Sequence, residues 1–234
     1  MWNYFLSFGP QVQRMRTEFG MPAAIAGILK APLDILGDKL RGYVGLSMDL
    51  FEQPDKVKAA CEALAPHLLS VAQATADPEC NVPVTIWMHR GCVPFLSHAQ
   101  FDSIYWPTLK PIIESLWASG HQVLFYAEGD WNAHLETFLE LPEGSIVYHV
   151  DKADIFQAHK VLGNRFCISG GIPNFLLTYG TPQEVKDRCK KVIDEVGADG
   201  GFIMDASAII QNDAQDENVR AMTEFTREYG VYKD

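Results

Sequence analysis

Short apolar runs and longer amphipathic stretches take turns along this chain. The first run, residues 22–27, reads Pro-Ala-Ala-Ile-Ala-Gly and predicts a strand. From residue 55 to about 76, Val57, Ala60, Cys61, Leu64, Leu68, Leu69 and Ala72 recur at helical spacing. Residues 82–88 predict a second strand. Helical pattern returns over 101–119 and stops at Gly120, a natural C-terminal cap. Residues 122–126 predict a third strand, and 131–139 a short helix. A fourth strand over 145–150 leads to a helix over 154–162, stopped by Gly163. Residues 165–169 predict the fifth strand. Thr181-Pro182-Gln183-Glu184 then opens a helix: Thr181 is the N-cap, Pro182 takes the first helical position and Glu184 completes a capping box. A sixth strand over 201–204 and a last helix from about 217 to 229 finish the pattern.

Strands that are apolar on both sides and alternate with helices imply a parallel sheet with right-handed crossovers. Six such units build either an open doubly wound sheet or part of a barrel. Both architectures place ligands at the C-terminal ends of the strands. Polar residues and glycines gather just there: His89 and Arg90, Glu128 and Asp130, Asp151 and Asp154, Gly170 and Gly171, Asp205 and Ser207. No GxGxxG or GxxxxGK[ST] follows the first strand, which weakens the nucleotide-binding sheet.

The chain has 234 residues, 47% hydrophobic and 21% charged, which is enough to bury the core of one domain spanning residues 1–234 and too apolar for disorder. A net charge of −11 repels nucleic-acid phosphates and anionic membranes, and Lys190-Lys191 is too short to reverse that. The five cysteines are odd in number and none lie at CxxC spacing, so neither a disulfide framework nor a cysteine-rich zinc module is expected. No apolar run reaches the ~20 residues that span a bilayer. The first residues, Met-Trp-Asn-Tyr-Phe, lack a signal-peptide pattern, so the expected address is the cytoplasm.

Several segments, taken in order, resemble the uroporphyrinogen decarboxylase superfamily. They are Leu40-Arg41-Gly42, then Asp49-Leu50-Phe51-Glu52-Gln53-Pro54-Asp55-Lys56-Val57, then Ser169-Gly170-Gly171-Ile172-Pro173. Gly180-Thr181-Pro182-Gln183-Glu184-Val185 and Gly201-Phe202-Ile203 with Glu217-Asn218-Val219-Arg220-Ala221-Met222 continue the series, which covers roughly residues 20 to 232. The resemblance implies a (β/α)8 TIM barrel, here an incomplete one of about six β/α units. The family's first two strands and their arginine-bearing substrate loop have no counterpart, so the chain is read as a fragment or a truncated gene product.

Two reactions are implied. One removes acetate carboxylates from a uroporphyrinogen macrocycle in tetrapyrrole biosynthesis; the other moves a methyl group to or from a corrinoid, with zinc as Lewis acid. The decarboxylases resemble each other in a Gly-His-Gly after the last strand, where this chain has Asp205-Ala206-Ser207-Ala208. The thiol-methylating members carry His-x-Cys and a later Cys; the matching positions here are Tyr126-Ala127-Glu128 and Ser207-Ala208. Glu128 in place of a thiolate suits an oxygen donor. The expected function is therefore methyl transfer from a small-molecule O-methyl or related donor to a corrinoid carried by a partner protein. Glu128 and His89 are the expected zinc ligands, Glu128, Asp205 and His89 the catalytic set, and Arg90, Gly170, Gly171, Asp130 and Ser207 the substrate-binding set. Uroporphyrinogen decarboxylation is one alternative, and an inactive truncated barrel or corrinoid-protein docking module is another.

Each of these residues also has a plainer reading. Asp130 and one of Asp151 and Asp154 are candidate helix caps. Arg90 is a candidate for a carboxylate tie across the rim, with His89 beside it. Gly170-Gly171 either approaches a ligand or permits a tight turn. Cys92 and His149 fit packing, as do Phe101, Tyr105, Trp106 and Trp117, although Tyr105-Trp106-Pro107 also offers a face to a partner.

Overall fold

A computed structural model describes residues 2–21 and 23–232, with side chains described from Leu6 onward. The chain runs through α1 (Trp2–Phe19) into β1 (Gly27–Lys30). After β1 come α2 (Pro32–Ile35), a π-helical turn (Leu36–Leu40), α3 (Tyr43–Glu52) and α4 (Pro54–Thr75). Strand β2 (Val84–Met88) is followed by α5 (His98–Gln100), a second π-helical turn (Phe101–Tyr105) and α6 (Trp106–Ala118). Next are β3 (Val123–Ala127), a 3-10 turn (Asn132–His134), α7 (Leu135–Phe138), β4 (Ile146–Val150) and α8 (Ile155–Leu162). The chain closes with β5 (Cys167–Ile172), α9 (Asn174–Tyr179), α10 (Pro182–Val196), β6 (Phe202–Ala206) and α11 (Asp216–Tyr229).

The six strands are parallel and pair in sequence order from β1 to β6. A doubly wound sheet reverses its order about the first strand, so this is the wall of a barrel. Among the described residues β1 and β6 do not pair with each other, and the wall stays open along both edges. Ile28 near one edge and Ile203 near the other are half exposed as a result. No helix is long and apolar enough to cross a membrane among the described residues.

Period-two alternation sorts the strand residues. Leu29, Ile86, Phe125, Tyr148 and Ile168 are buried and join the main apolar cluster. Their neighbours point to the other face. One register row of that face crosses all six strands: Lys30, Trp87, Tyr126, His149, Ser169 and Ile203. Two residues further along each chain, on the same face, lie His89, Glu128, Asp151 and Asp205. The alternation thus gathers the polar strand ends on one rim.

Thr181 and Glu184 form the expected capping box, and Asp154 caps α8 by accepting from Phe156 N–H at 2.9 Å. All five cysteines are free. Two strand expectations need correction. The first strand is not residues 22–27; β1 covers Gly27–Lys30, with Pro22 outside the described residues. Residues 23–26 form an irregular approach in which Ala26 N–H reaches Pro83 O. The fifth strand does not stop at Ser169 but continues through Gly170 and Gly171 to Ile172. Both glycines have positive φ, at +114° and +112°, and each lies against neighbouring structure. A Cβ on Gly170 would meet Val150 O at 2.8 Å, and one on Gly171 would meet Val192 Cγ1 at 2.9 Å. Close packing accounts for glycine at both positions. Gly171→Ala should lower stability by about 1–3 kcal/mol; an unchanged urea midpoint would contradict that.

Candidate functional site

The turn after β2 sets up the rim. His89 and Arg90 leave the sheet there, and two carboxylates from the segment after β1 take hold of them. Asp34, in α2, is fully buried. Its Oδ1 accepts the backbone N–H of Arg90 at 2.6 Å and of His89 at 3.3 Å, and its Oδ2 accepts the Tyr105 hydroxyl at 3.0 Å. Asp38, one turn on, takes the side chains. Its Oδ2 lies 2.8 Å from Lys30 Nζ and 2.9 Å from His89 Nδ1. Its Oδ1 accepts from Arg90 Nε at 3.0 Å and Nη2 at 2.9 Å.

The two acids titrate in opposite directions. Burial pushes Asp34 up to about 6, against the pull of the Arg90 backbone bond, the nearby His89 charge and the Tyr105 hydroxyl. Burial raises Asp38 as well, but hydrogen bonds from Lys30, His89 and Arg90 outweigh it and hold the carboxyl well below the usual range. Asp38 is therefore a fixed negative charge. His89 Nδ1 faces both Asp38 Oδ2 and Lys30 Nζ, at 2.9 and 3.0 Å, and the other nitrogen of the ring is aimed at the rim. This Nε2 is buried and has no hydrogen-bond partner, and it lies 3.3 Å from Glu128 Oε2. The two atoms are close enough to pair as ions but are out of line for an N–H···O bond.

A cavity of about 650 Å³ opens over this pair, lined by His89, Arg90, Glu128, Asp151, Lys152 and Ser207, with Phe95 and Phe175 as apolar walls. Another, of about 470 Å³, sits beside β6 between Ile193, Phe202, Thr226 and Tyr232, away from the polar strand ends.

The expected site residues divide. His89 and Glu128 come together at the cavity. Glu128 is half exposed. Arg90 lines the cavity, but its guanidinium is committed to Asp38 and lies over the rings of Tyr43 and Phe95, at 5.3 and 5.0 Å. It does not pair with Glu128. Asp130 accepts from Asn132 N–H at 2.9 Å, just ahead of a 3-10 turn whose N-cap position is Trp131 and has no side-chain cap. Asp151 ties two loops by accepting Gly129 N–H at 2.8 Å. Asp205 is half exposed and stands 3.9 Å from His149 Nδ1, outside the cavity lining. Ser207 lines the cavity, and its carbonyl accepts from His149 Nε2. His149 is buried, stacks on Tyr126 at 4.6 Å and takes the Ser169 hydroxyl on Nδ1 at 3.1 Å. Burial lowers its pKa, so it works as a neutral anchor for the loop after β6.

The sequence does not single out Lys30, Asp34 and Asp38 as site residues, and it gives Tyr105 to packing or to a partner-facing surface. One signal was present: Pro32 at a helix start, then acids four residues apart among Leu33, Leu36 and Gly37. As for zinc, the His89 Nε2 and Glu128 carboxylate are suitable donors, but a catalytic zinc ordinarily has about three protein ligands. Among the described residues no group of three or more His, Cys, Asp and Glu is placed to hold a metal ion. The donor set stops one short.

Comparison with known proteins fits this geometry. The model of the uroporphyrinogen decarboxylase (URO-D) family matches residues 8–229. The chain belongs to that family. Among solved structures, a methyltransferase from Methanosarcina mazei shares the fold, with a TM-score of 0.75 at 17% sequence identity. The match covers 94% of this chain and 63% of that one, so this URO-D chain spans less than two thirds of its structural relative. No curated protein matches it.

The raised Asp34 carries a stability consequence. An acid whose folded pKa lies above its unfolded value adds no penalty at low pH. The penalty grows as pH rises through the folded pKa and is complete above it. For a shift from 3.8 to about 6, that window is pH 4–6. Roughly two units correspond to about 3 kcal/mol. Asp34→Asn should gain on the native protein by about that amount between pH 4 and pH 7, measured by urea unfolding. A difference that stays flat across the window would contradict it.

Proposed function

We propose that this chain carries the reaction site of a methyltransferase that takes a methyl group from an O-methyl or related donor and passes it to a corrinoid on a partner protein. The observation that carries the reading is the His89–Glu128 pair: an unpartnered imidazole nitrogen 3.3 Å from a carboxylate, at a cavity on the C-terminal rim. The URO-D family and the shared fold with a methyltransferase point the same way.

Breaking a C–O bond leaves the electron pair on oxygen, and an alkoxide or phenoxide leaves more readily when protonated. A carboxyl–imidazole pair can hold that proton and release it to the leaving oxygen. Asp38 fixes the His89 ring from behind so that Nε2 stays on the cavity side. The corrinoid supplies the nucleophile that receives the methyl group. The half-exposed Glu128 and the exposed Phe175 show that the cavity is open outward, where a group on a second protein can reach a bound methyl carbon.

Decarboxylation fits less well. A macrocycle bearing several acetates calls for excess positive charge, whereas the cavity sets Arg90 and Lys152 against Glu128 and Asp151. Arg90 is also already engaged by Asp38.

Glu128→Gln removes the proton but keeps the shape. In the whole protein, methyl transfer from a methyl ether to cob(I)alamin should fall by about 10²–10⁴-fold. Stability should shift by less than about 0.5 kcal/mol, as for other exposed positions. Full activity in the folded variant would remove Glu128 from the chemistry.

A further inference from the structure

We infer that Asp34 is a positioning residue: it holds the backbone of the turn that aims His89 and Arg90 at the rim cavity. None of its atoms lines that cavity. Its effect on methyl transfer rests on the function proposed above, while its effect on the turn does not.

The backbone amides of His89 and Arg90 lie just past β2, beyond the ladder that pairs β2 with its neighbours. Buried amides need acceptors. One oxygen of Asp34 serves both, at 3.3 and 2.6 Å, while its other oxygen is held by Tyr105. Four residues on, Asp38 holds the side chains of the same two residues. One short segment, running from α2 into the π-helical turn, therefore fixes both the backbone and the side chains of the turn. The far side is closed as well. A Cβ on Gly91 would lie 2.6 Å from both the Trp131 and Tyr105 rings, so the turn has no room to swing into the aromatic cluster. Removing Asp34 frees two buried amides at once, and the path from them to His89 Nε2 is a single residue.

Acceptance of hydrogen bonds is the required property, which separates positioning from charge. Asp34→Asn keeps an acceptor for the amides and offers its amide group to the Tyr105 oxygen. Asp34→Ala keeps nothing. Tyr105→Phe removes the hydroxyl but leaves the amides bonded. Three readouts on the whole protein test this: hydrogen exchange at the His89 and Arg90 amides, the His89 ring tautomer by nitrogen NMR, and kcat with KM for methyl transfer to cob(I)alamin. Asp34→Ala should speed exchange at both amides by about tenfold or more. It should shift the His89 tautomer balance that Asp38 and Lys30 set at Nδ1. It should also lower kcat by about 10–100-fold with little change in KM, the mark of misplaced groups. Asp34→Asn and Tyr105→Phe should exchange no faster than about the native rate and keep the native tautomer and kcat. If Asp34→Ala does not fold, Asp34→Ser, too short to reach Arg90 N–H, takes its place.

Native exchange in the Ala or Ser variant would overturn the inference. So would lost protection with an unchanged tautomer and kcat, since the bond would then be only local. If the native protein transfers no methyl group, the functional proposal fails alone, and exchange and tautomer still decide the role of Asp34.

Discussion

Asp34 and Asp38 fasten the turn after β2 to the segment after β1, and the placement of the other groups at the cavity follows from that fastening. Asp38 meets Lys30 from β1 and both His89 and Arg90 from beyond β2. A carboxylate half-withdrawn from water at that junction would be costly alone. Its contacts with Lys30, His89 and Arg90 offset that cost and join two neighbouring βα units at the rim. Asp34 completes the joint from below by taking the backbone amides. The outcome is an imidazole with one nitrogen engaged and the other left facing Glu128.

The apolar architecture makes this joint possible. Phe101, Tyr105, Trp131 and Phe138 pack beneath the turn, with Tyr105 reaching up to Asp34 through its hydroxyl. On the other side of the rim, neutral His149 performs a similar anchoring task, joining β5 through Ser169 to the loop after β6 through Ser207. The His89–Glu128 pair thus stands between two polar ties, each built on the inner face of the sheet. The open edges of β1 and β6 lie away from it, because Glu128 directly follows β3, which pairs on both sides within the wall.

Much of this was legible before the structure. Apolar runs such as 82–88 and 145–150 had no competing helical period, and the capping box at Thr181 and Glu184 marked α10 without ambiguity. His89 and Glu128 stood out because polar residues closing buried parallel strands face the rim. The first strand was misplaced because Ala23, Ala24, Ile25 and Ala26 form an apolar run, whereas Gly27–Lys30 ends in a lysine. That lysine points into the barrel toward Asp38, a long-range pairing that no local pattern displays. Gly170 and Gly171 looked like a turn because glycine permits one. Their need is steric, set by Val150 and Val192 from other elements. Asp34 and Asp38 escape notice since helical acids are usually solvated, and only tertiary contact shows that Asp34 is buried and Asp38 half-buried.

The central claim is that His89 and Glu128 act as one unit in giving up a proton. A double-mutant cycle tests it most directly, with methyl transfer to cob(I)alamin measured for His89→Gln, Glu128→Gln and the double variant. Residues that work as a unit lose their joint effect when either is removed. The double variant should therefore be no slower than the slower single variant. Two losses that multiply in the double variant would show independent roles and contradict the account.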